Sequence, residues 1–95
     1  MRLLMVAVVV LAPRLAFASS DAAWAELFAK AGMACRQASG LKQAVAGRPI
    51  DFSNHVLVVV AGRWPQPHMN GRRATVACLY DKRSGTAEAQ EAPNQ

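Results

Sequence analysis

Arg73-Ala74-Thr75-Val76-Ala77-Cys78-Leu79-Tyr80-Asp81 is the stretch on which the fold turns. Its side chains alternate, with Ala74, Val76, Cys78 and Tyr80 on one side and Thr75, Ala77 and Leu79 on the other. That is the period-two signature of a strand. Cys78 stands with the larger residues, so this strand should carry its cysteine inward.

Working outward, Val56 to Ala61 is a mostly β-branched run closed by Gly62. Its lack of alternation predicts burial on both faces or a central position in the sheet. Lys82-Arg83-Ser84-Gly85 reads as a tight connection, with Gly85 supplying a positive φ, into a last strand over Thr86 to Gln90. Ala92 to Gln95 should fray. Leu41 to Pro49 is predicted as a weak edge strand in which Leu41, Gln43 and Val45 share a face, before the turn residues Gly47, Arg48 and Pro49.

Upstream lies a helix. Ser19, Ser20 and Asp21 are good N-terminal caps and Gly40 stands where a terminating glycine belongs. Trp24, Leu27, Phe28, Ala31, Cys35 and Ala38 recur at three- and four-residue steps, which places Cys35 on the buried stripe. Gly32 marks a kink or a close approach by a strand. When this stripe packs on the inward face of the Cys78 strand, Cys35 and Cys78 form a disulfide. Closing a loop of about 44 residues stabilises a fold by roughly 4 kcal/mol in the chain-entropy model. The cysteines lack the CxxC spacing of a redox pair. The expected fold class is α+β, one N-terminal helix packed on a three- to four-stranded antiparallel meander sheet.

Residues 1–18 read as a signal peptide: Arg2 is the basic start, Leu3 to Ala12 the apolar segment and Ala16-Phe17-Ala18 the small-residue cleavage signal. Residues 19–95 then form a single small secreted domain, periplasmic or extracellular after cleavage. The apolar run reaches only Ala12 before Pro13 and Arg14, well short of the roughly 20 residues a spanning helix needs. Ser19 and Ser20 stand where a lipoprotein would need cysteine. The mature form is therefore expected not to span a membrane. Its formal charge falls from +5 to +3, nine Lys and Arg against six Asp and Glu. This mild basic bias suits either a solvated surface or an anionic partner. A chain of this size has a thin core and benefits from a staple.

Candidate chemistry concentrates between Gly62 and Arg73. Two prolines stiffen that segment, and Arg63, Trp64, His68, Met69, Arg72 and Arg73 supply the aromatic, apolar and cationic mixture found at binding hot spots. Two accounts fit: Trp64 and Met69 cap one end of the core, or the loop is a contact surface. Asn70-Gly71 is a hairpin-turn signal within it. His55 and His68 are the only histidines and have no metal-ligand spacing, so neither metal nor cofactor is expected. Ser53-Asn54-His55 lacks the strand-to-helix elbow of a serine nucleophile. Lys82 and Arg83 with Arg72 and Arg73 make too small a patch for specific nucleic-acid binding.

Through Phe52-Ser53, Val56 to Gly62, Ala77-Cys78-Leu79-Tyr80-Asp81-Lys82, Gly85 and Ala87-Glu88, the chain resembles small exported proteins of Gram-negative bacteria. That resemblance implies a helix-plus-sheet secreted domain and no functional residue. In size, export and single disulfide the chain is also similar, at the level of class, to periplasmic lysozyme inhibitors and to immunity proteins against envelope-attacking toxins. The expectation is an exported, non-enzymatic binding or inhibitor-like module whose partner is another periplasmic or secreted protein. An accessory envelope protein contacting an anionic polymer or surface is the alternative, and a small hydrolase using His55 or His68 a third. Partner identity and oligomeric state stay open at this level.

Overall fold

The computed structural model describes residues 20–92 of the chain. The expected signal peptide and the last three residues of the expected frayed end lie outside the described residues. Helix α1, Asp21–Ser39, is capped by the Ser20 side chain, which accepts a hydrogen bond from the Ala23 N–H at 3.0 Å. It ends at Gly40, whose φ of 68° is left-handed and whose N–H reaches the Gln37 carbonyl. The strands are β1 (Lys42–Ala46), β2 (Ile50–Asp51), β3 (His55–Arg63), β4 (Arg73–Asp81) and β5 (Ala87–Glu91).

One five-stranded antiparallel sheet results, in the order β1-β3-β4-β5, with β2 also paired to β3. β1 pairs with the C-terminal half of β3 and β2 with its N-terminal half, so together they act as one interrupted edge strand. β3, β4 and β5 form the expected meander. The fold class is thus the α+β arrangement read from the sequence. The additional strand, β2, is too short to show a periodic pattern.

Helix α1 lies across one face and contacts β1, β3, β4 and β5. From the sheet, Val56, Val58, Val60, Val76, Cys78 and Tyr80 point into this core; from the helix come Ala31 and Cys35. Leu27 and Phe28 are half-buried against it, and Ala34 takes the place the wheel assigned to Ala38, which is exposed. Cys35 and Cys78, both fully buried, are joined by a disulfide with Cα atoms 5.8 Å apart. The two periodicities therefore converge as expected.

Two local expectations differ from the structure. Leu41 is buried while Val45 is exposed, so they do not share a face. The β1–β3 register shifts between Lys42 and Val45, and Gln43 adopts a positive φ of 53°. An extra residue in an edge strand rotates the side chains that follow it. The second concerns β3, which takes the central position that was one of the two expectations but not the burial on both faces that was the other. Only its Val56-Val58-Val60 face is covered; Val59 on the opposite face is 42% exposed and its neighbour on β4, Leu79, 44%. One helix closes one face of a sheet, and among the described residues nothing closes the other.

Candidate functional site

Loop and sheet ends are where chemistry-bearing side chains gather. At the β3–β4 end, the Trp64 N–H donates to the Arg72 carbonyl at 3.0 Å and extends the hairpin one step beyond Arg63 and Arg73. Pro65 to Met69 then bulge outward, closing into a single 3-10 turn at Pro67–Met69. Asn70 and Gly71 follow with positive φ values of 54° and 67°, and the Arg72 N–H reaches back to the Met69 carbonyl at 3.0 Å. Consecutive left-handed residues inside such a bond are the type I′ geometry for which Asn-Gly is suited. Arg63 adds a brace, its guanidinium donating to the Gly71 carbonyl at 2.7 Å.

This loop serves the core and the surface with different residues. Trp64 folds back and packs, half-buried, against the core, and Met69 is half-buried. His68 and Arg72 are exposed, as are Arg63 and Arg73. Lys42 stands opposite Arg63 on β1 and lines with it an open groove of about 240 Å³ beside Trp64 and Pro65. Among the described residues no carboxylate forms an ion pair with Lys42, Arg63, Arg72 or Arg73. The sheet therefore ends in cations without a described carboxylate partner, Lys42, Arg63 and Arg73 on the strands and Arg72 on a loop stiffened by prolines and backbone hydrogen bonds.

At the opposite end Asp51 and Asp81 are each paired, while Arg83 is exposed without an ion pair among the described residues. Asp81 accepts hydrogen bonds from the N–H groups of Arg83 at 2.8 Å and Ser84 at 3.1 Å, which fixes the β4–β5 turn before Gly85 takes its positive φ of 75°. The Ser84 and Arg83 N–H groups, with a smaller contribution from the neighbouring His55, hold the Asp81 carboxyl below the usual carboxylate range. His55 Nε2 lies 3.7 Å from Asp81 Oδ2 as a cross-strand pair. An open groove of about 390 Å³ runs past His55, Asp81 and Lys82.

Sequence reading gave Lys82 only a turn role and a share in a weak basic patch. In the structure it is a clamp. Its Nζ pairs with Asp51 at 2.8 Å, donates to the Phe52 carbonyl at 2.7 Å and lies 6.0 Å from the centre of the Trp24 ring. Lys82 thereby ties β2, the β4–β5 turn and the first turns of α1 together. No spacing in the sequence signals this, because its partners lie in two separate segments far from it along the chain.

A serine-histidine arrangement does not assemble: among the described residues no hydroxyl is hydrogen-bonded to His55 or His68, and Ser84 instead pairs with Thr86. The same residues contain no group of His, Cys, Asp or Glu able to hold a metal ion. His68 and His55 lie at opposite ends of the sheet, so the structure does not bring the two histidines together. No family model matches the chain, and neither a curated protein nor a solved structure is similar to it.

Proposed function

We propose that this protein is an exported, non-catalytic binding module that engages an acidic protein of its own compartment through the β3–β4 loop. The observation that carries this reading is the cationic end. Arg63, Arg73 and Lys42 share one face at this end of the sheet, Arg72 and His68 are exposed in the adjoining loop, no described carboxylate pairs with any of the four cations, and the loop backbone is already ordered. Such a loop loses little conformational freedom on binding, and uncompensated cations steer and orient an acidic surface.

Support for export comes from the buried Cys35–Cys78 disulfide, which persists in oxidising compartments. No helix among the described residues is long and apolar enough to cross a membrane, which is compatible with the same placement. Trp64 serves this function indirectly, by anchoring the loop to the core.

The test is affinity capture from the extracytoplasmic fraction with the unmodified protein and with His68→Ala/Arg72→Glu, two exposed side chains. Capture by the unmodified protein should fall steeply above about 0.2 M salt, where surface charges are screened beyond about 7–8 Å. The double variant should lose the same partner. Equal capture by both proteins would overturn the loop assignment. An anionic polymer would meet the same cations, and capture that survives protease treatment of the extract would transfer the reading to it.

A further inference from the structure

The uncovered face of the sheet is not a typical solvent face. Directly paired residues of an antiparallel sheet share a face, so the register Ile50↔Leu57↔Leu79, Val59↔Ala77 and Val45↔Ala61 makes one contiguous apolar patch. Ile50 is 50% exposed and Val45 65%. Solvated sheet faces alternate with polar residues, and contiguous apolar patches mark interaction surfaces.

Charge frames this patch unequally. At one end Arg63 and Arg73 stand directly opposite each other, an unfavourable like-charge pair. At the other end stand His55 and Asp81, with Glu88 beside Leu79. Val59 lies midway between Arg63 and His55, and Ala77 midway between Arg73 and Asp81.

We propose that this face is the interface of a homodimer, with the twofold axis lying between the two sheets, crossing the strands at the Val59–Ala77 row. A twofold that brings a face onto itself must lie in the plane between the copies. Running along the strands, it would set arginines on arginines. Running across them, it sets Arg73 of each copy over Asp81 of the other and Arg63 over His55. The same operation lays Leu57 over Ala61 and Leu79 over Thr75, large side chains against small ones, and Val59 over Val59. One patch thus supplies its own apolar cover and, through Asp81, a counter-charge for Arg73, as an isologous interface requires. Long arginine side chains bridge the roughly 30° rotation and about 10 Å spacing between stacked sheets.

From strand spacing and rise, the face covers roughly 450 Å² per copy, or about 900 Å² for the pair, near the lower limit of specific interfaces. The dimer is accordingly weak and concentration-dependent. It takes Arg63 and Arg73 into the interface and leaves the two β3–β4 loops at opposite ends, where His68 and Arg72, the residues changed in the capture test, remain accessible.

Sedimentation equilibrium of the full mature protein, from about 1 μM to about 1 mM, tests it. A monomer–dimer equilibrium is expected. Val59→Lys, which places two cations on the axis, should raise the dissociation constant at least about tenfold. Arg73→Glu should do the same at low salt and less at about 0.5 M salt. A thermal melt of each variant as monomer should match the parent, since both side chains are exposed. A parent that stays monomeric throughout overturns the dimer, whatever other protein then covers the face. So does a dimer indifferent to Val59→Lys. Preferential pairing of Arg73→Glu with the unmodified chain would overturn the orientation, since only an axis along the strands sets residue 73 on residue 73.

Discussion

Val58 and Val59 are neighbours in β3 with the same side chain, yet they belong to opposite faces of the sheet. Val58 is 1% exposed beneath α1, within the core stapled by Cys35 and Cys78. Val59 faces outward among Leu57, Ala61 and Ala77. The difference shows that hydrophobic composition assigns a residue to a strand without deciding whether it stabilises the monomer. The side of the sheet on which the single helix packs decides that.

The largest test of this contrast removes the staple from the closed face. Cys35→Ala/Cys78→Ala should lose about 4 kcal/mol of unfolding free energy in urea titrations. A loss below about 1 kcal/mol would mean that helix packing alone closes that face. Next comes the valine pair. Val58→Ala should cost about 2–3 kcal/mol from lost burial and a residual cavity, whereas Val59→Ala in dilute protein should cost under about 1 kcal/mol. Equal costs would break the distinction between the faces.

Gly62 sharpens the same comparison at the edge of the core. A Cβ added there would lie 2.8 Å from both the Leu41 Cβ and the Lys42 carbonyl oxygen. One of those contacts is backbone, so Gly62→Ala must displace β1 and should lower stability by about 1–3 kcal/mol. A neutral result would show that the bulged edge strand yields freely.

The smallest effect belongs to the open face and appears only in acid. Because the folded-state pKa of Asp81 is depressed, its contribution is complete above the unfolded value near 4 and is lost as pH falls through the folded value. Thermal melts should therefore drop more between about pH 4 and pH 2 for the parent than for Asp81→Asn. Parallel profiles would remove the turn hydrogen bonds of Asp81 as a source of acid sensitivity.

Much of the fold was legible because it rests on local periodicity. Cys78 and Cys35 each fall on the apolar side of their own element, and the shared disulfide follows once those sides pack. Gly40, Gly85 and the Asn70-Gly71 pair were equally readable, since left-handed backbone favours glycine and asparagine. The β1 bulge was not. Gln43 gives no hint of a positive φ, and the shift comes from fitting β1 and β2 onto one edge of β3. In the loop, composition left the roles of the residues undivided. Trp64 went to the core because the hairpin alternation continues one step past Arg63, while His68 is exposed on the 3-10 turn that interrupts that alternation.

What the sequence determined by itself is thus α1, β3, β4 and β5, the apolar sides of α1 and β4, and the cysteine pair, all consequences of spacings within a few residues. Tertiary structure alone decided which charges would be compensated. The Lys82 clamp, the His55–Asp81 pair and the uncompensated arginine end all depend on which distant segments meet, and strand pairing sets that. It also decided that β3, as apolar on one side as on the other, would be covered on one side only, since a single helix can shield only one face of a sheet.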